Sequence, residues 1–416
     1  MIGAIIGDAA GVFAAESKEN IKDLGKALEG SHITGNTVVS LAAAKGLKHG
    51  FGNTRKTGVK VGKYFKELVE KYPDMGYEDK FTDWVSDYKG ELPPAPYNTV
   101  TPDAAVRASS AAWVYNSLEY VNYYTGIVTH VTHKSSEASK AAVAVTSAIF
   151  LSRQGIDKKD IKAYLEHHCG IKLAGALDST GPEQDKQGGD GADESGYAPI
   201  AAAVNAFLAA TDFTDAIDRA VAAGLSTKDP EKELPAIAMA AGAIAESYYP
   251  VPSDLKEKAL ALLDDDLKAV LDSYETFLKK IRKDREKKFD LLFDCRPFFD
   301  KRGKTEWYAP KPVGDEKPFP YPKYGSEVQY LEEIALDKDF ADYGYEDTLK
   351  HFGIEISAQS IDEHIDIANA YVLRSMLTAI IRHERFVDGT IAEAIRTGTI
   401  SRILAQLAVK IRPGMF

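Results

Sequence analysis

Four long stretches of this chain repeat small and apolar residues with a helical period: "VKVGKYFKELVEKY", "SEASKAAVAVTSAIFLSRQG", "APIAAAVNAFLAATDFTDAIDRAVAAGL" and "ELPAIAMAAGAIAESYY". Residues that recur on one face every three to four positions bury that face against other helices. Runs of alternating β-branched residues are scarce, so the pattern predicts an all-α chain, a multi-helix bundle followed by a second, smaller, mainly helical domain. The alanines and glycines matter because small residues let helices approach closely in such a bundle. The N-terminal "MIGAIIGDAAGVFAAE" is apolar but lacks a basic flank, carries Asp8 and Glu16, and holds no run of about 20 apolar residues. It reads as a buried first helix and not as a membrane segment.

The chain divides by composition into 1–271 and 272–416. Residues 179–196, "STGPEQDKQGGDGADESG", read as a mobile surface loop. The charged helix "YETFLKKIRKDREKKFD" is followed by prolines interleaved with aromatics in "RPFFDKRGKTEWYAPKPVGDEKPFPYPKYG", a shift expected at a domain boundary, with "PFPYPKY" as a self-packing strap. No fixed-period repeat is present. A net charge of −11 disfavours a nucleic-acid partner, because such affinity rests on lysine and arginine displacing counterions. Cys169 and Cys295 show no metal-binding or disulfide spacing, which fits a reducing cytoplasm.

"GAIIGDAAG", "ITGNTVVSLAAAKGL", "PYNTVTPDAAVR", "THKSSEASKAAVAVTSAIF", "ESGYAPIAAAVNAFLAATDFTDAIDRAVAAGL" and "GAIAESYYPVP" follow one another in an order and spacing that resemble the ADP-ribosylglycohydrolase family over about residues 1–271. That resemblance implies an all-α fold, two Mg²⁺ ions at the centre of the bundle, and hydrolysis of the bond joining ADP-ribose to an arginine, serine or similar acceptor. Breaking a bond at the anomeric carbon passes through oxocarbenium-like charge, so the reaction needs an activated water on one face and help for the leaving group on the other. Metal ions can position water and sugar hydroxyls while carboxylates hold them and take a proton.

The family's metal-facing residues are where this sequence departs. The glutamate expected after the first glycine motif falls at Ala15, with Glu16 one place later and about 100° further round the helix. Thr34 and Thr37 match the outer residues of a Thr-Asp-Asp-Thr motif whose aspartates are here Gly35 and Asn36. Asparagine lends a neutral oxygen and glycine none. The third acidic motif becomes "GLSTKDPEKELPAIA", with Asp229, Glu231 and Glu233 the nearby acids, and Pro235 and Ala236 standing where an aspartate and a threonine are expected. The family's Gly-Asn-Gly becomes Thr101, Pro102 and Asp103 ahead of Arg107, and in "THKSSE" Thr132–His133 survives while the following His-Pro becomes Ser135–Ser136. The losses concentrate on metal-facing acids, whereas the apolar helix faces remain.

The resemblance therefore carries over a reduced site. Glu16 and Glu233 are the candidate catalytic bases, Asp8, Arg107 and His133 the candidate ligand contacts, and Thr34, Asn36 and Asp229 the candidate oxygens for at most one weakly held Mg²⁺. Each has a plainer role. Asp8 can bond helix-start amides, Thr34 can cap the helix that follows, His133 can be structural, and acids at 229–233 suit a helix N-terminus. Two functions stay open: a pseudoenzyme that binds a protein partner or an ADP-ribose-like molecule, and a diverged hydrolase of the bond between ADP-ribose and its acceptor. No membrane association is expected. The second unit, through "PFPYPKYGSEVQYLEEI", "DYGYEDTLKHFGI" and "LTAIIRHERFVDGTIAEAI", resembles an uncharacterised bacterial domain family, which leaves open that it carries the biology. In its "RHERFVDG", Arg382, Glu384, Arg385 and Asp388 read as a salt-bridged helix end closed by Gly389, or as a grip for an anion.

Overall fold

A computed structural model describes residues 1–99, 101–173, 197–300, 306–308, 314 and 321–411. The loop predicted at 179–196 and most of the proline-aromatic stretch lie outside the described residues. The architecture is helical, as the periodicity predicts, with one short antiparallel ribbon pairing Glu306–Tyr308 with Tyr321–Lys323. No helix among the described residues is long and apolar enough to cross a membrane. The chain forms two compact units, one of Met1–Val114 with Val121–Leu278, the other of Lys279–Phe416 with Tyr115–Tyr120.

The first unit is organised around two helices, Ile2–Ser17 and Pro230–Tyr248, both buried along most of their length. Gly3, Gly7 and Gly11, one every four residues, make a stripe on the first helix. A β-carbon at these positions would lie 2.3 Å from the Gly242 carbonyl oxygen, 2.1 Å from that of Ala238 and 2.5 Å from Pro235 Cα. Real β-carbons do not approach so closely, so the absence of side chains lets the two backbones touch. The Glu246 carboxylate accepts from the amides of Ile2 (3.1 Å) and Gly3 (2.9 Å), supplying two of the partners that a helix start leaves wanting. Asp8, next to Gly7, is held at a fixed height in this pair and is fully buried.

Gly35–Gly50, Ser136–Arg153, Tyr197–Ala209 and Phe213–Gly224 pack against this pair, and Thr54–Lys71 packs on Gly35–Gly50. Polar side chains cap most of these helices: Thr34, Asn53, Ser135 and Asp212 each accept from an amide in the first turn.

The second unit gathers Ser326–Ala335, Tyr345–His351, Thr390–Thr397 and Thr399–Lys410 around Ala370–His383. Leu373, Met376, Leu377, Ile403, Leu404 and Leu407 are buried in its core. In "RHERFVDG" the Glu384 carboxylate accepts from the amides of Gly389 (2.8 Å) and Ile391 (2.7 Å) and from the Tyr324 hydroxyl (2.8 Å). Glu384 thus serves the start of the next helix, and Gly389, at φ 91°, makes the left-handed turn into it.

Candidate functional site

The start of the helix Gly35–Gly50 is built on Asp8. The Asp8 carboxylate accepts from the Thr34 amide (2.8 Å), the Thr34 hydroxyl (2.7 Å) and the Thr37 hydroxyl (2.6 Å), and also receives the Thr37 amide. Thr34 Oγ1 in turn accepts from the Asn36 amide at 3.1 Å, and the Met75 carbonyl takes the Gly35 amide at 2.7 Å. The amides of Thr34, Gly35, Asn36 and Thr37, which a helix start ordinarily leaves for solvent or ligand, are therefore all satisfied from within the protein. Burial pushes the Asp8 carboxyl up, and the Thr37 and Thr34 donors oppose that.

Beside this helix start lies a cleft of about 590 Å³, inside the roughly 300–1,000 Å³ range of small-molecule sites. It brings together Thr34, Asn36, Arg107, Asp229 and Glu233 of the residues singled out in the sequence. Three others lie apart from its lining. Asp8 is buried under Thr34 and Thr37, and Glu16 is exposed at the end of the first helix beside a buried Ala15. His133 is fully buried, its ring 4.7 Å from that of Tyr97, with Nδ1 2.9 Å from the Thr132 hydroxyl. Burial, reinforced by the Arg107 charge, pushes His133 down to about 2, so its imidazole is neutral at physiological pH.

Tyr77, Glu78 and Asp79 complete one side of the cleft. No sequence pattern singled them out, since they sit in a short connection without periodicity or motif. Burial raises the Glu78 carboxyl, while Arg107 pulls it down and Asp103 pushes it up again. Asp103 is raised by burial against the opposing pull of Arg107. Six acids (Glu78, Asp79, Asp103, Asp229, Glu231 and Glu233) face the cleft with only two basic residues, Arg107 and Lys232. Lys232 Nζ stands 3.3 Å from Asp229 and screens it.

Arg107 is 4% exposed, and its guanidinium lies 4.2 Å over the Phe81 ring. Its Nη1 reaches the Tyr97 hydroxyl at 3.4 Å and the Thr132 hydroxyl at 3.5 Å, both long, and Nη2 is 3.8 Å from Asp103. Its Nε has no partner. Burial alone would lower the guanidinium, but Tyr97, Asp103 and Glu78 outweigh it and raise it. A buried arginine with donors to spare, lining a cleft, suits a planar acceptor such as carboxylate or phosphate.

The donor set for a divalent cation is thin. Mg²⁺ asks for about six oxygens in near-octahedral array. Asp8 spends its oxygens on Thr34 and Thr37, Gly35 has no side chain, and buried Pro235 and Ala236 offer no side-chain oxygen. Among the described residues, no three His, Cys, Asp or Glu side chains converge closely enough to hold a metal ion.

An all-α bundle with a cleft beside the starts of Gly35–Gly50 and Pro230–Tyr248 is the class of protein that fold and site define. The chain belongs to the ADP-ribosylglycohydrolase family, which it matches over residues 1–286. Residues 286–412 match a family of unknown function, DUF6508. No curated protein matches the chain.

Proposed function

We propose that this protein is an ADP-ribosylglycohydrolase-family member whose dinuclear Mg²⁺ site has degenerated, and that it binds an ADP-ribose-like ligand in its cleft without cleaving it. The observation that carries this reading is the closed helix start at Thr34–Thr37, where all four amides and the Asp8 oxygens are consumed internally. A pair of metal ions held at that place would need carboxylates where the chain has Gly35, Asn36 and Pro235. Arg107 then becomes the anchor for an anionic group of the ligand, and Asn36 lends a neutral polar contact. Asp229 and Glu233 remain as acids on the rim, with too few neighbours to hold more than one weakly bound ion.

A diverged hydrolase is the second reading, and Glu78 is the observation that favours it. A half-buried carboxyl raised by burial, in a cleft and beside Asp103, has the character of a general acid or base. Glu233, also lining the cleft, is the other candidate base, and Glu16 would have to act from outside the cleft lining.

Calorimetric titration with ADP-ribose, with and without Mg²⁺, tests the proposal. Metal-independent binding, with no ADP-ribose released from modified arginine or serine, is the expected result. Binding that requires Mg²⁺, or measurable release, overturns it in favour of the hydrolase. Release abolished by Glu78→Gln but not by Glu233→Gln or Glu16→Gln would assign the base.

A further inference from the structure

The start of the helix Gly35–Gly50 is filled from the connection that precedes Asp79–Asp87. A β-carbon on Gly35 would stand 2.5 Å from Tyr77 Cδ1, 2.6 Å from Tyr77 Cε1 and 3.1 Å from the Met75 carbonyl oxygen. Carbon atoms in good contact sit about 3.5–4.0 Å apart. No side chain fits at position 35 while that ring stays where it is.

The ring is also held. The Tyr77 hydroxyl donates to the Tyr72 carbonyl at 2.8 Å, and the ring meets Phe81 edge-on with centroids 6.0 Å apart. Gly76, at φ 72°, makes the left-handed reversal between Met75, whose carbonyl takes the Gly35 amide at 2.7 Å, and Tyr77. Loop and helix start are thus joined by a backbone hydrogen bond on one side and an aromatic ring on the other.

We infer that Tyr77 occupies the place from which a carboxylate at position 35 would reach the cleft, so that the Tyr72–Tyr77 loop itself keeps this helix start closed to a metal ion. The inference rests on the reading that the dinuclear centre is gone, and it adds that replacing the missing acids does not bring it back. It also reverses an ordinary expectation. Alanine in place of glycine within a helix normally stabilises, whereas here the added methyl group meets the ring.

Thermal melts of the full chain carrying Gly35→Ala, alone and combined with Tyr77→Phe or Tyr77→Ala, test this. Gly35→Ala lowers Tm by about 3–6 °C in the wild-type and Tyr77→Phe backgrounds. In the Tyr77→Ala background the same change costs less than about 1 °C or raises Tm. Equal losses in all three backgrounds overturn the inference. Should Gly35→Ala alone fail to fold, a folded Gly35→Ala/Tyr77→Ala protein supports it and an unfolded one overturns it. Mn²⁺ binding, followed by loss of the free-ion EPR signal, separates the two levels. Gly35→Asp/Asn36→Asp binding Mn²⁺ more tightly than wild type with Tyr77 in place also overturns the inference, whereas two Mn²⁺ ions bound by wild type overturn the metal-loss reading beneath it.

Discussion

Each unit buries more than one arginine, and Arg107 of the first and Arg374 of the second are used differently. Arg374, 2% exposed, gives Nε to the Phe340 carbonyl at 2.8 Å. Its Nη2 serves the carbonyls of Phe340 (2.6 Å), Asn116 (2.7 Å) and Asp339 (3.2 Å). Arg107 is 4% exposed and has two long bonds, one distant carboxylate and an unpartnered Nε. The surroundings differ in kind as well. Burial among largely neutral partners lowers the Arg374 guanidinium, while the ionisable neighbours of Arg107 overcome burial and raise it. Burial by itself therefore does not separate an arginine whose donors are spent on the fold from one that keeps an unpartnered donor. What separates them is whether the donors are spent.

The largest effect that sharpens this contrast is at Arg374. Arg374→Leu takes this donor from the buried carbonyls of Phe340 and Asn116, at about 1–3 kcal/mol each, whereas the Asp339 carbonyl keeps Asn116 Nδ2 at 3.0 Å. A loss of roughly 3–5 kcal/mol follows, read from the urea midpoint of the full chain. A loss below about 1 kcal/mol would mean that water reaches those carbonyls, and the contrast would collapse.

Asp8 is the acidic counterpart of Arg374, with its oxygens all committed. Asp8→Asn keeps the size but replaces one acceptor oxygen by a donor NH₂ that faces hydroxyls and amides. Stability should fall by about 3 kcal/mol, and the same urea titration reads it. Thr37→Val, which removes one of the donors, should cost less, about 1–2 kcal/mol.

Much of this was legible in the sequence because it depends on local pattern. The helical periodicity identified the bundle, "ITGNT" placed Thr34 where a cap belongs, and Asp8 offered bonding to helix-start amides as one of its two roles. The close pairing of Ile2–Ser17 with Pro230–Tyr248 is written in Gly3, Gly7 and Gly11, although their partner is more than two hundred residues away. Tyr77 and Glu78 left no such trace. They reach the cleft through a left-handed turn at Gly76, and nothing in their residue types says that this turn folds back on the start of Gly35–Gly50. The burial that makes His133 neutral was equally hidden, since it comes from tertiary packing with Tyr97 and Thr101. Nor does any local pattern announce that Tyr115–Tyr120 clusters with Lys279–Phe416.

Arg107 is the other half of the comparison and gives a smaller, different signature. Arg107→Met keeps most of the stem against Phe81 but removes the charge, so Tm should change by no more than about 2 °C. ADP-ribose affinity should fall about 30-fold, as expected for a charge-assisted, forked contact worth about 2 kcal/mol. Arg107→Lys should recover only part of it, because a point charge does not reproduce the planar fork. Calorimetry with the three proteins checks this order. An Arg107→Met chain that unfolds as Arg374→Leu does would show both arginines to be structural.

The effect that builds most gradually concerns a buried acid whose group is not fully spent. In the second unit Glu119 Oε1 accepts from the Gly344 amide, while Oε2 has no donor and the side chain is hydrogen-bonded to Asp342. Asp342 accepts from Ser375 Oγ at 2.5 Å and from the Gly344 amide at 3.2 Å. Burial, then the Asp342 charge, pushes Glu119 up to about 8, so it holds the proton that the two carboxyls share. The sign follows from linkage: the folded chain binds a proton here that the unfolded chain releases at ordinary carboxylate pH. The stabilisation is therefore complete below about pH 4.5 and drains away as pH rises towards about 8. Glu119→Gln keeps a donor towards Asp342 at every pH. Wild type should lose about 1 kcal/mol more than this variant per pH unit between pH 6 and 8, measured as urea midpoints. Parallel pH profiles for the two proteins would place the shared proton elsewhere and leave Glu119 as fully committed as Asp8.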